Sequence, residues 1–371
     1  MTIAHMQQRK YFRSRIPQAN YPTVTPATLI GAGALAFEDL LLKDENIAKF
    51  DVRTQDNAGF STGSDFATDQ WPDRHDASVQ HDLQVASDPI GRELYSALGS
   101  VVSTQPNSVG APTAWQHAFS PQDPTTSRQL PAHTYGEKIG SAHSVKYPSC
   151  ITEMISFSGD GTDRINASVG YRGSGKRTSP SGIVYSLDPA TNHVEILTGL
   201  KYFFNSQISI VRSDYSTLAN PVNYGTAKML ESWSFQWTNQ LLLDDGYRPG
   251  STDFQTAGDP ESGAVRSELL FGTRTAEFSA VVRLDSATDE FAALQSQKRM
   301  DVQCLLTGPT IAGAVKHKLL ISMPRVSYDM VEISNKNKIA TVQLKFKILF
   351  DETTGKILEI TLTNTTASYT V

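Results

Sequence analysis

Cysteine, long apolar runs and an excess of basic charge are all scarce in this chain of 371 residues, and each scarcity removes a class of protein. Cys150 and Cys304 are the only cysteines. Two thiols cannot staple a chain of this length, so an apolar core must hold it, and both read as reduced and buried. The longest apolar run, Leu29 to Phe37, is short and glycine-broken, which excludes a bilayer-spanning helix there. The opening MTIAHMQQRKYFRSRIPQANYP is basic but has no apolar signal core, so the expectation is a chain that crosses no membrane by a signal of its own. The net charge of -5 argues against a protein that grips nucleic acid through its phosphates. No repeat of fixed period and no low-complexity tract is visible. The Asn166 and Asn364 glycosylation patterns carry no weight without secretion.

What is present is alternation. In Leu230 to Gly250, LESWSFQWTNQLLLDDGYRPG, the residues Trp233, Phe235 and Trp237 alternate with Ser232, Ser234, Gln236 and Thr238. A helix would scatter these aromatics, whereas a pleated strand collects them on one face and leaves an uncharged polar row on the other. The aromatic row is the candidate core face. The polar row is the candidate face for water or a partner. DDGYRPG then supplies turn residues. Thr275 to Leu284 repeats the pattern, with Phe278 and Val282 on the core side, and Ile339 to Phe350 does so again with Leu344, Phe346 and Ile348.

Elsewhere the elements are shorter. Residues 1 to 28, with Pro17, Pro22 and Pro26, read as an extended arm. Phe50 to Ser87 is polar and reads as loop with strand pieces such as Ser78 to Val85. Asp88-Pro89 opens a helix in which Asp88 is the expected cap, Ile90, Leu94 and Leu98 share a face, and Gly99 ends it. Ile151, Ile155 and Phe157 lead into an Asp160-Gly161 turn, and Ile165, Ala167, Val169 and Tyr171 alternate on the return. A hairpin is expected around DPATN at 188 to 192, a strand at Lys201 to Arg212, and a second helix near Asp289 to Arg299 with Ser286 and Asp289 as a capping box. Val302 to Thr307, His317 to Tyr328 and Ile357 to Thr363 read as further strands. The fold class expected is mainly β, a sandwich or barrel with one or two short helices. Residues 29–371 are expected to form a single β domain.

No constellation reads as catalytic. Gly59 to Gly63 matches the nucleophile-elbow pattern but lacks the strand and helix that motif requires. Asp73, His75, Asp76, His81 and Asp82 gather imidazoles and carboxylates, and read as an exposed acidic loop rather than a metal site. Gly170 to Lys176 imitates part of a phosphate loop, but Arg177 replaces the required hydroxyl. Asp244-Asp245 reads as a turn. The expectation is no enzyme, no cofactor and no metal.

The segments ESWSFQWTNQLLLDDGYRPG, ISMPRVSYDMVEI and VQLKFKILFDETTGKILEITLTN, the strand at Thr275 to Leu284 and the two helices together resemble the tail tube (major tail) proteins of long-tailed bacteriophages. The resemblance covers about two thirds of the chain. It implies a structural virion protein, assembled in the host cytoplasm, whose subunits form hexameric rings stacked into a hollow tube. Their strands join neighbours in a ring-spanning β-barrel, and DNA passes through without specific contact. The implied partners are further copies of the chain, a tape measure protein, tail-end or baseplate proteins and, in some relatives, a sheath, with no membrane. Residues 100 to 200 match nothing in that family and are expected to be an outer decoration or an inter-ring loop. Two alternatives stay open. One is a carbohydrate-binding or carbohydrate-active β-sandwich, which requires exposed aromatics and a carboxylate pair. The other is another virion component, such as a capsid or tail-completion protein.

Overall fold

The computed structural model describes residues 9–14, 37–40, 42–43, 49–56, 69–139, 143–177, 193–194, 199–256, 258–284, 288–336 and 339–370. Strands β1 (Arg9–Ser14), β2 (Phe37–Asp39), β3 (Lys49–Asp56) and β4 (Gln70–Gln84) precede helix α1 (Ile90–Leu98). After it come β5 (Gly99–Thr104), β6 (Trp115–Pro121), β7 (His133–Ile139), β8 (His143–Asp160), β9 (Asn166–Gly173), β10 (His193–Val194), β11 (Ile208–Asp214) and β12 (Val222–Asn223). The one-turn helix α2 (Tyr224–Ala227) leads into β13 (Leu230–Leu241), β14 (Phe254–Thr256), β15 (Asp259–Ala264) and β16 (Phe271–Arg283). Helix α3 (Thr288–Gln295) is followed by β17 (Met300–Ala312), β18 (Val315–Lys336), β19 (Ile339–Ile348) and β20 (Glu359–Asn364). The protein is mainly β, and among the described residues its sheet does not close into a barrel.

Two long strands change partners midway and so divide the strand network into layers. The first half of β18 lies between β17 and β20, and its second half, from Val326, pairs with β19. The change falls at Pro324, where the register between β17 and β18 slips, as expected of a residue with no N–H to give the ladder. Likewise β8 pairs with β7 as far as Cys150 and with β9 from Ile151. Here Pro148 is followed by Ser149 at φ 59, a left-handed conformation that costs a side-chain-bearing residue energy and bends the strand.

The first layer runs β12, β11, β17, β18, β20, β6, β5. Its inner row aligns Ile210, Cys304, Ile321, Ile360 and Phe119, all buried. The second layer runs from the far half of β18 through β19, β16, β13, β8, β9 and β4 to β3. Both inner faces belong to one hydrophobic core. A smaller group, β1, β2 and β10, attaches to β7. Of the strands between residues 99 and 173, β5 and β6 belong to the first layer and β8 and β9 to the second, supplying core rows next to β20 and β13, while β7 joins the smaller group.

Helix α1 packs against β5 and β6 of the first layer and β8 and β13 of the second. Gly99 ends it in the left-handed conformation, φ 91, with its N–H on Tyr95 O. Asp88 does not cap this helix. Its carboxylate instead accepts from Thr365 N at 3.1 Å and Oγ1 at 2.9 Å and from Thr366 Oγ1, tying the C-terminal segment across the helix start. That segment also seats Tyr369, fully buried, with its hydroxyl donating to Asp88 O at 2.7 Å.

Other expectations need correction. Phe50 to Ser87 is not mainly loop: β3 and the long β4 occupy much of it, since its short polar residues alternate with buried His75, Ala77, Val79 and His81. The strand expected from Lys201 begins only at Ile208, because a 3-10 turn at Asn205–Gln207 breaks the alternation. Phe203 is buried as a result, and Phe204 is exposed. A third helix, α2, was not foreseen; Asn223 caps it by accepting from the Gly225 and Thr226 amides. The DPATN hairpin, the Gly59 to Gly63 motif and the Ser286 half of the capping box lie outside the described residues.

A Cβ on Gly91 would stand 2.1 Å from Tyr369 Cζ. Gly91→Ala is therefore expected to unseat the C-terminal segment and cost about 1–3 kcal/mol, as overpacked cores do. Urea unfolding measures this, and Tyr369→Ala should remove most of the Gly91→Ala penalty in the double variant.

Candidate functional site

The second layer has two unlike faces, and β13 sits at its centre. Trp233, Phe235 and Trp237 point inward and are buried, as are Phe278 and Val282 on β16 and Leu344, Phe346 and Ile348 on β19. Cross-strand register lines up Phe157, Phe235, Phe278, Phe346 and Tyr328 in one row over five strands. Ring centroids along it lie 6.3 Å apart for Phe157 and Phe235, 5.5 Å for Phe278 and Phe346, and 4.8 Å for Tyr328 and Phe346. Above and below this row, the two tryptophans meet small neighbours, Gly159 and Ala280 beside Trp233, and Ala276 beside Trp237. Each indole nitrogen is satisfied: Trp233 Nε1 donates to Asn205 Oδ1 at 2.8 Å, and Trp237 Nε1 to Asn239 Oδ1 at 3.0 Å.

Sequence reasoning missed Asn239. It continues the aromatic row, fully buried, and donates to Ala97 O at 2.7 Å and Thr152 O at 3.0 Å. It thus serves a carbonyl at the end of α1 that the helix cannot satisfy itself. The signal was an Asn in phase with a core row, a position where an unpartnered amide would be costly.

The outward face carries Ser232, Ser234, Gln236 and Thr238, of which Ser234 and Gln236 are exposed and the other two half-buried. Register extends this row on both sides. Ser158 and Ser279 flank Ser234, and Ser156 and Glu277 flank Gln236. Ser168 continues it on β9 and Asp82 on β4, with Gln80 two residues away on the same face, while Lys345 and Lys347 continue it on β19. The small groups bond to one another: Ser234 and Ser279 hydroxyls at 2.8 Å, Gln236 Nε2 to Thr238 Oγ1 at 3.2 Å, Gln80 Nε2 to Ser168 Oγ at 2.9 Å. Some charges on this face are matched, although the exposed Lys347 and the half-buried Asp82 form no ion pair among the described residues. Lys345 pairs with Glu277 at 3.2 Å, and Arg172 with Glu153 and with Asp76, each at 3.1 Å. The result is a broad polar surface over the aromatic core row.

Residues singled out for chemistry are accounted for otherwise. The His/Asp cluster is on β4, not in an exposed loop, and its alternation divides it between the two faces of that strand. His75 Nε2 bonds Ser262 O at 2.7 Å, and Asp76 pairs with the buried Arg266 at 2.7 Å. His81 is buried and shares a 2.7 Å hydrogen bond with the Tyr135 hydroxyl. Among the described residues no group of three His, Cys, Asp or Glu is placed to hold a metal ion. Gly170 to Gly173 completes β9, and Ser174 and Gly175 are buried. Asp244 is exposed in a turn. Cys150 and Cys304 are free and buried, and burial raises both thiol pKa values. No helix among the described residues is long and apolar enough to cross a membrane.

No protein-family profile and no curated protein matches this chain.

Burial lowers the His81 pKa from 6.5 to about 4, against a small opposing effect of Asp82. The unfolded chain therefore takes up this proton first. The contribution to stability is full above pH 6.5 and is lost as pH falls towards 4. His117 and His317 shift in the same direction through burial. Denaturant titrations between these limits should show stability falling with pH, and His81→Gln should flatten that slope. An unchanged slope in the variant would remove His81 from the account.

Proposed function

We propose that the protein is a non-enzymatic structural subunit that associates with further copies of itself into stacked rings, forming the tail tube of a bacteriophage or of a related tail-like particle. The observation that carries this reading is the second layer. It joins an aromatic core row to an outer face of short, mutually bonded polar groups on which Lys345 pairs with Glu277 and Arg172 with Glu153 and Asp76. A channel for DNA needs a wall that is rigid, wet and poor in unpaired cations, because each unpaired Lys or Arg facing a phosphate adds to retention. The sequence resemblance described above supports the same reading.

The strand ends and edges fit association. Among the described residues β3, whose residues are almost all exposed, pairs only with β4, and β5 pairs only with β6. Such edges invite pairing with another chain unless something covers them, and ring closure covers them by symmetry. In this reading neighbouring copies complete the barrel that one chain leaves open, and the polar row of β13 faces the lumen. The carbohydrate alternative receives no support at β13, since Trp233, Phe235 and Trp237 are buried and present no ring to a sugar.

Negative-stain microscopy of the concentrated protein should show rings or hollow tubes; a uniform monomer at all concentrations sinks the proposal. Ser234→Lys adds a cation to the outer face between Ser158 and Ser279, with no carboxylate opposite it in the register, and does not touch the core. Its melting temperature is expected to stay within about 2 °C of the parent, as for ordinary surface changes. DNA passage or tube assembly is expected to fail. Asn239→Leu is the contrasting variant: it strands buried carbonyls, costs about 1–3 kcal/mol in urea unfolding, and acts through stability alone.

A further inference from the structure

We infer that the cleft between the loop after β6 and the β19–β20 turn is a binding site for a carboxylate carried on an apolar group, with Arg274 as its anchor. Arg274 lies on β16 in phase with Ala276 and Phe278, so its side chain leaves from the core face of the second layer, at the end where the core meets solvent. Its guanidinium stacks on Phe271, with Cζ 4.2 Å from the ring centroid, and lies 5.7 Å from that of Trp237. Nη1 is buried and has no hydrogen-bond partner. Nη1 has exchanged water for aromatic faces without gaining an acceptor, which costs free energy until one arrives, while the side chain as a whole is half-buried and opens to the cleft.

The cleft into which Arg274 opens is lined also by Gln122, Asp123, Phe350, Lys356 and Ile357. One oxygen of the Asp123 carboxylate is engaged locally, Oδ1 accepting from Thr125 N at 2.8 Å and Thr125 Oγ1 at 2.7 Å, and the group acts on Arg274 through its charge rather than through an ion pair. Lys356 is committed to Glu359. Burial lowers the Arg274 pKa, and the nearby Asp123 carboxylate partly opposes this without forming an ion pair with the guanidinium. Phe350, 55% exposed, and Ile357 supply an apolar wall beside it. A planar fork next to an apolar wall matches a carboxylate on a hydrocarbon or aromatic stem, since both oxygens can be bound while the stem covers Phe350. Two sources share this chemistry: a free organic acid, and an acidic side chain of a neighbouring copy.

Titration of the purified protein with phenylacetate, followed by calorimetry or NMR, tests the site, with phenylacetamide and inorganic phosphate as controls. Saturable phenylacetate binding is expected, with phenylacetamide and phosphate each much weaker. Arg274→Gln should weaken it roughly tenfold or more, the scale of a lost charge-assisted pair. Phe350→Ala, a change at an exposed position, should weaken it too, and it keeps the test decisive if Arg274→Gln folds poorly. Sedimentation across a concentration series separates the sources. Arg274-dependent self-association that phenylacetate competes away assigns a neighbouring copy. Binding without any effect on association assigns a free acid. The site is overturned if phenylacetamide binds as well as phenylacetate, if binding survives both substitutions, or if neither binding nor Arg274-dependent association occurs. None of these outcomes bears on whether tubes form.

Discussion

The row of aromatic rings that crosses β8, β13, β16, β19 and β18 is the constraint on which the second layer depends. Each ring buries roughly 150–250 Å², so each contributes about 4–6 kcal/mol of transfer free energy at about 25 cal/mol per Å². A slip of one residue in β13 would turn Trp233, Phe235 and Trp237 to solvent and bring Ser234 and Gln236 into the core. No polar contact on the outer face approaches that penalty. Register is therefore decided by the inner face, and the polar row inherits its position. The small residues beside each tryptophan serve the same end, because three bulky rows side by side could not pack at normal density.

What turns this sheet into a layered body is the pair of strands that outlast their partners. A proline interrupts the ladder in each, Pro148 in β8 and Pro324 in β18, and close to that residue the strand leaves one set of neighbours for another. Helix α1 then packs against both layers. Its ends are served from far along the chain, by Asn239 at one and by Asp88 with the C-terminal segment around Tyr369 at the other. These polar contacts contribute less than the aromatic row, but they determine where the layers meet.

The functional reading follows from this hierarchy. The face is backed by a core and furnished with serines, threonines and glutamines beside the Lys345–Glu277 and Arg172–Glu153 pairs. It has breadth, polarity and partly matched charge, which suit a wall. Arg274, whose buried Nη1 has no hydrogen-bond partner, is at the margin of the core rather than on that face, and its geometry suits recognition of a single group.

Much of this was legible in the chain. Alternation located β9, β13, β16 and β19 with their inner residues, because period-2 patterning is a local consequence of the pleat. It failed where chemistry and pattern parted: the polar β4, whose inward histidines do not look like core residues, and the start of β11, where a 3-10 turn moved Phe203 inward in place of Phe204. It also assigned Asp88 to a helix cap, since a local rule cannot see that Thr365 and Thr366 arrive from the other end of the chain to claim that carboxylate. The sequence by itself determined the fold class, the two faces of β13 and the burial of both cysteines, all of which depend on near neighbours. Only the tertiary structure decided which strands lie side by side, where β8 and β18 change layers and why Arg274 Nη1 is left without a hydrogen-bond partner. Those outcomes depend on register and on contacts between residues a hundred or more positions apart, which no short-range pattern encodes.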